Sequence, residues 1–361
     1  MKITVVLGVL LVCGHASGIC PEEAKLSGSD TKEYDMFGRL VSIGGNYAIV
    51  GSIDLNGNGK AYIFERNAGV WTEKTNLYPP SASSIASVSI SGNTAVIGYP
   101  KYHAVQPNMA GAAHVFERGL STWVKTVELL PSDGGITNDF GASVAIDGDY
   151  IIVGSPKDSG NSPYSGCAYI FKRDGTTWTR VAKIAASDGQ NGENFGNLVS
   201  IWDEYVIVGT SRNKSGSAYI FKREGTNWTE QCKLVPSEGE EGDRFGTSIA
   251  ISGNYAVVGA YGNDDNGEDS GTAYIFAREG TNWVEQVKLA PPDGDASDLF
   301  GYSVSISGDY LVVGSVRGDG KQPDSGLAYI YTGGMKQDGK KKQSWQHLME
   351  RRTTSSDVQF R

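Results

Sequence analysis

The sequence predicts an all-β fold, a β-propeller of four-stranded antiparallel blades with six visible repeats, and three observations predict it. A Phe-Gly motif recurs at Phe37-Gly38, Phe140-Gly141, Phe195-Gly196, Phe245-Gly246 and Phe300-Gly301, with a degenerate copy at Ile85-Ala86, at a spacing of about 50 to 55 residues. Each unit carries four apolar runs of strand length, clearest in the fifth as Ser248 to Ser252, Tyr255 to Ala260, Thr272 to Arg278 and Trp283 to Leu289. Glycine is abundant, 48 of 361 residues, about 13% against a usual ~7%, without the three-residue period of collagen. Four-stranded meanders set side by side bury their faces on their neighbours, which an open sandwich would not explain. An incomplete seven-bladed propeller is the alternative.

Within a unit the first two runs are joined by Gly45-Asn46, Gly92-Asn93, Gly148-Asp149, Gly253-Asn254 or Gly308-Asp309, residue types that accept the positive φ of a tight hairpin. Repeat four has Asp203-Glu204 there instead. A variable polar loop joins the second run to the third, and a short turn of Gly-Thr-Asn type joins the third to the fourth. The fourth leads through Ser-Asp-Gly to the next Phe-Gly. Trp71, Trp123, Trp178, Trp228 and Trp283 each stand six residues before Leu77, Leu129, Ile184, Leu234 and Leu289. One Trp per repeat at a fixed strand position reads as inter-blade packing, with sugar binding as the functional alternative. Upstream, Cys20 takes the Trp position before Lys25-Leu26, so this segment reads as a lone fourth strand. Propellers often close by pairing such a strand with the last blade.

Charge narrows the partners. Forty-one acids against 32 bases give a net charge of −9, which disfavours phosphate-backbone binding and hence nucleic acid. The one run that resembles a membrane segment is Met1 to Gly18, with Lys2 ahead of Ile3 to Val12 and then Ala16, Ser17 and Gly18. Its apolar core is too short to span a bilayer, and its order is that of a secretory signal cut after Gly18. Cleavage leaves Cys20, Cys167 and Cys232, an odd number from which no disulfide framework follows. The expected organisation is a signal peptide over 1–18, a propeller over 19–331 and a tail over 332–361, with no transmembrane segment in the chain.

The tail departs in composition, with seven bases against three acids. A solvated basic tail and an anchor to an anionic surface are two readings of it. A third is an out-of-frame continuation of the array. Read from the third base of each back-translated codon, the segment permits a Trp six residues before a Leu, then Ser-Asp-Gly and a further Phe-Gly. Sequencing the transcript around the codons for Thr332 and Gly333 is expected to show those residues in the shifted frame, and their absence there would refute the idea. On this reading the array is longer than six units, and the chain is either a truncated propeller or a product without function.

Phe-Gly followed by Val153-Gly154-Ser155, Val258-Gly259-Ala260 or Val313-Gly314-Ser315 resembles the FG-GAP repeats of integrin α propellers. Gly216 to Arg223 and Gly271 to Arg278 bring it nearest to secreted proteins of that type. The resemblance covers Cys20 to Tyr331 and implies a secreted, extracellular binding or adhesion propeller whose ligand is held by loops on one face. The Pro of the family pattern survives only around Tyr99-Pro100 and Ser155-Pro156, and repeat two lacks Phe-Gly. Some members of the family bind Ca²⁺ in the loop after the second strand. Asp54, Asn56 and Asn58 match the alternate-oxygen spacing but supply one carboxylate; the loop holding Asp264, Asp265 and Asp269 is richer in acids but off register. Each loop reads either as a Ca²⁺ site or as a solvated, Asx-rich turn.

No catalytic signature accompanies these features. The histidines are His15, His103, His114 and His347, and there is no nucleophile elbow, phosphate loop or zinc spacing. Paired-carboxylate hydrolysis stays formally open, although no spacing identifies a pair. Asn213-Lys214-Ser215 is the glycosylation sequon on an expected loop, while Asn227-Trp228-Thr229 opens a strand. The expected function is a non-enzymatic binding or adhesion propeller for an extracellular protein. The alternative is a lectin-like, glycan-binding propeller in which loop aromatics such as Tyr99, Tyr102, Tyr164 and Tyr261 gather on one face.

Overall fold

The computed structural model describes residues 24–79, 84–101, 110–120, 122–131, 138–210, 216–291, 294–320 and 323–332. The expectations placed on residues 1–18, Cys20, Tyr102, His103, Asn213, His347 and the tail beyond Thr332 lie outside the described residues. The fold is an all-β propeller, and within each blade the strands lie side by side in sequence order. The chain divides into two compact units, Met1–Asp203 with Gly225–Trp228, and Glu204–Glu224 with Thr229–Arg361.

In the first unit, blade 1 is Leu40–Gly44, Tyr47–Ile53, Gly59–Asn67 and Val70–Leu77. Blade 2 is Ser87–Ser91, Thr94–Tyr99, Ala112–Arg118 and Trp123–Leu129, and blade 3 is Ser143–Asp147, Tyr150–Ser155, Cys167–Asp174 and Thr177–Ile184. The unit boundary runs through blade 4, whose strands are Leu198–Trp202, Tyr205–Gly209, Ala218–Glu224 and Asn227–Leu234. In the second unit, blade 5 is Ser248–Ser252, Tyr255–Ala260, Thr272–Glu279 and Asn282–Leu289. Blade 6 has three strands among the described residues, Phe300–Ser307, Tyr310–Ser315 and Leu327–Thr332. The expected hairpins fall in place: Ser252 pairs with Tyr255 across Gly253-Asn254, with Gly253 at φ +60°. Where repeat four lacks glycine, Asp203 takes the same left-handed slot at φ 51°.

The Phe-Gly motif explains how blades meet. Phe140, Phe195, Phe245 and Phe300 are fully buried, and Phe140 meets Tyr169 and Phe171 edge-on at 5.3 and 6.3 Å, a favourable quadrupolar arrangement. The following glycine lies against the Val-Gly glycine that ends the second strand of the preceding blade. A Cβ on Gly98 would stand 2.0 Å from the Gly141 carbonyl oxygen, and one on Gly154 would stand 1.9 Å from that of Gly196. Both glycines are therefore required by contact. The degenerate copy fills the same slot differently: Ile85 is 1% exposed, and Ala86 N–H donates to Gly98 O as Gly141 N–H does to Gly154 O.

A β-bulge recurs in the pairing of third and fourth strands, at Ile63/Phe64, Val115/Phe116, Ile170/Phe171 and Ile275/Phe276. Trp and Leu six residues apart would share a face of a regular strand, and one inserted residue turns them to opposite faces. Trp123 thus packs on Tyr47 of blade 1, ring centroids 5.4 Å apart, while Leu129 joins Phe140 and Val144 of blade 3. Trp228 on Tyr150 and Trp283 on Tyr205 repeat the contact, and Arg118 and Arg278 lie over Tyr47 and Tyr205. Trp123, Trp228 and Trp283 thus pack between blades, whereas Trp71 joins a cluster of blade 1's own Tyr62 and Phe64.

Two blade faces keep the composition of such a layer without its burial. Val41 and Ile43 of blade 1 are 42% and 46% exposed, whereas the matching Val88 and Ile90 of blade 2 are 9% and 4%. In blade 6, Ile330 is 58% exposed where Ile275 of blade 5 is fully buried.

Candidate functional site

An antiparallel meander has two unlike ends. The turns between first and second and between third and fourth strands share one end, and these are tight, glycine-bearing hairpins in almost every blade. The loops between second and third strands, and the connections into the next Phe-Gly, share the other end, and there the repeats diverge in length and sequence. Loops fixed by a rigid scaffold are where recognition is concentrated in such folds.

One feature of that end escaped the sequence reading. Two residues before each Phe stands a buried polar side chain: Asp35, Asn138, Glu193, Asp243 or Asp298. The four carboxylates each accept the backbone N–H three residues upstream, Lys32 N–H to Asp35 at 2.9 Å and Gln190 N–H to Glu193 at 3.0 Å, with Glu240 and Asp295 doing the same. They hold the connection in shape through a local side-chain-to-backbone bond that reaches three residues back. The acid-x-Phe-Gly spacing was visible as a signal, masked by the more obvious Phe-Gly.

The third strand adds a tyrosine near the same end. Tyr169 O–H donates to Asp158 at 2.6 Å, with Lys183 Nζ 3.3 Å from that carboxylate and 5.1 Å from the ring centroid. Tyr274 has Lys288 over its ring and Lys288 is paired with Asp265. In blade 1, Tyr62 donates to Asp30 at 2.7 Å and holds that carboxyl down at about 2. Blade 2 replaces the Tyr and Lys by His114 and Glu128, Nε2 to Oε2 3.1 Å, with Lys125 Nζ 2.8 Å from the same carboxylate. His114 is fully buried against Tyr99, and burial pushes its pKa down to about 4.

The residues expected to hold Ca²⁺ lie in two separate loops. Asp54 Oδ1 accepts the N–H groups of Asn56 and Asn58 at 2.9 and 2.8 Å, and Oδ2 accepts Asn58 Nδ2 at 3.1 Å. These bonds hold the Asp54 carboxyl below its usual range, and a cation entering the loop would compete with them. In the other loop, Asp264 Oδ1 accepts Asp269 N–H at 2.7 Å and Asp265 turns to Lys288. Among the described residues no three His, Cys, Asp or Glu side chains are grouped to hold a metal. Both loops are Asx-type turns as they stand.

The described loop aromatics differ in burial. Tyr99 is fully buried as the last residue of a second strand, which corrects its placement among surface aromatics: it faces inward onto the His114 ring, centroids 4.6 Å apart. Tyr164 is 56% exposed on blade 3. Tyr261 follows the second strand of blade 5, and its ring lies 5.1 Å from that of Tyr302, a residue the sequence reading did not single out because Phe-Gly-x reads as the start of a strand. Arg244 Nη1 donates to Tyr261 Oη at 2.6 Å and the guanidinium sits over the same ring.

The family model described as FG-GAP repeat matches residues 21–64, 123–171, 178–221, 228–276 and 283–331, well over half of the chain. Four of the five matches begin at a fourth-strand Trp and run through the next third strand, so each unit spans one blade junction. The stretch left between the first two matches holds Ile85-Ala86 and His114, the parts of blade 2 that depart from the others. No curated protein matches the chain.

Proposed function

Because the chain belongs to the FG-GAP repeat family, whose propellers commonly serve binding or adhesion, we propose that it is a secreted or cell-surface binding protein that recognises a protein ligand through the variable-end loops of its blades. The observation that carries the reading is the asymmetry of each blade. Contacts that build the scaffold, Phe on Tyr, Gly on Gly and Trp on Tyr, recur from repeat to repeat, while the residues that differ are exposed at one end. A binding role suits that end better than catalysis. Its recurring carboxylates are tied to backbone N–H donors and serve the turn.

The test is a binding screen of the purified full chain against a panel of recombinant extracellular domains. The loops Asp54–Asn58, Lys157–Ser165 and Tyr261–Ser270 are replaced one at a time by Gly-Ser linkers of equal length. The expected result is a saturable partner that at least one loop replacement releases and that exchange of Gly253-Asn254 for the blade 4 turn Asp-Glu leaves bound. A partner held equally by every loop variant, or no partner at all, would overturn the reading.

A further inference from the structure

Repeats in a propeller share the residues the scaffold needs, so a repeat that departs from the rest at exposed positions marks a site of its own. Three positions meet at the variable end of blade 5: the residue before Phe, the second residue after the Val-Gly glycine, and the residue after the next Phe-Gly. In blade 3 they are Asp139, Pro156 and Asn197, and in blade 5 they are Arg244, Tyr261 and Tyr302. Only in blade 5 does this triad hold two aromatic rings and a guanidinium.

We propose that Tyr261, Tyr302 and Arg244 form a saccharide subsite that takes a neutral pyranose. Tyr302 is 48% exposed and its ring is tilted 46° against Tyr261, so the pair offers an aromatic surface to the C–H face of a sugar. Arg244 is exposed and spends Nη1 on Tyr261, which fixes the guanidinium at the edge of that surface with donors left for vicinal hydroxyls. Asp269 supplies the acceptor: its Oδ1 lies 3.3 Å from where a Cβ on Gly262 would stand, and its charge acts on Arg244. That carboxylate also decides the charge of the ligand, because it offsets the guanidinium and would repel a uronate or sialate. The subsite rests on the reading that the variable end is the binding end, and its ligand is independent of the protein partner.

The full chain is screened on an array of defined glycans that holds neutral, uronate-bearing and sialylated members, and the best-bound oligosaccharide is titrated by calorimetry. Retention of neutral glycans is expected, with roughly tenfold weaker binding in Tyr302→Ala and in Arg244→Ala at unchanged melting temperature, and no change in Tyr164→Ala. Should Tyr302→Ala melt early, Tyr302→Phe serves in its place and is expected to retain binding. No glycan retained, a preference for acidic sugars, or binding indifferent to Tyr302→Ala and Arg244→Ala would each overturn the subsite. A silent array with a protein partner still released by loop replacement ends the subsite and leaves the binding reading standing.

Discussion

Gly259→Ala is expected to destabilise the protein by about 3 kcal/mol or more, at the upper end of what overpacking costs, whereas Gly253→Asn costs under about 1 kcal/mol. The two glycines stand six residues apart in the same blade and serve different physics. A Cβ on Gly259 would lie 2.0 Å from the Gly301 carbonyl oxygen and 2.1 Å from Ser248 Oγ, and Ser248 already donates to that carbonyl at 2.6 Å. Backbone crowds the site, so relief requires the blade 5 and blade 6 backbones to part. Gly253 has nothing within 4 Å of its would-be Cβ; its φ of +60° is the only demand, and Asp203 meets the same demand in blade 4 at 51°. Urea melts of the two variants against the parent measure the difference. A Gly259→Ala variant within 1 kcal/mol of the parent would mean that the Phe-Gly and Val-Gly contact does not hold the blades together.

Turn glycines and contact glycines are written differently in a sequence. Hairpin glycines are local: Gly-Asn between two apolar runs names a turn, and the pairing of Ser252 with Tyr255 is what that turn requires. The repeat also made the blade legible, since identical spacing in each unit leaves one meander that satisfies them all. Contact glycines are not local. Gly259 owes its identity to Gly301, in another repeat, and nothing in either neighbourhood states the distance between them. Inter-blade packing was legible for Trp123, Trp228 and Trp283, but the bulge that turns Trp283 and Leu289 to opposite neighbours adds a residue that periodicity alone does not reveal. Tyr99 shows the limit of loop assignment. It was counted among the loop aromatics, yet it closes a second strand and faces His114. The triad of Arg244, Tyr261 and Tyr302 joins three segments that are distant in sequence, and only the fold brings them together.

Acid should weaken the protein through blade 2, and exchanging one pair of side chains should remove that weakness. His114 is fully buried, and burial together with the Lys125 charge depresses its pKa from 6.5 to about 4, against the opposing pull of Glu128. The groups that face it are Glu128 across the strand pair, Lys125 beyond that carboxylate, and the Tyr99 and Phe116 rings. A depressed folded-state pKa means that between pH 6.5 and 4 the unfolded chain binds the proton and the folded chain does not. Stability contributed by the neutral imidazole is thus whole above 6.5 and is lost as pH falls toward 4, to a total of about 3 kcal/mol. Blades 3 and 5 carry Tyr169 with Lys183 and Tyr274 with Lys288 at the same two positions, a pair with neither imidazole nor carboxylate. The double variant His114→Tyr with Glu128→Lys is therefore expected to lose the excess slope of unfolding free energy between pH 6.5 and 4.5, read from urea melts at several pH values. Carboxylates elsewhere contribute equally to both proteins, so the difference reports the coupled His114–Glu128 pair. Parallel curves for parent and variant would show that the buried His114–Glu128 pair exerts no net pull on protons between pH 6.5 and 4.5, and would overturn the prediction.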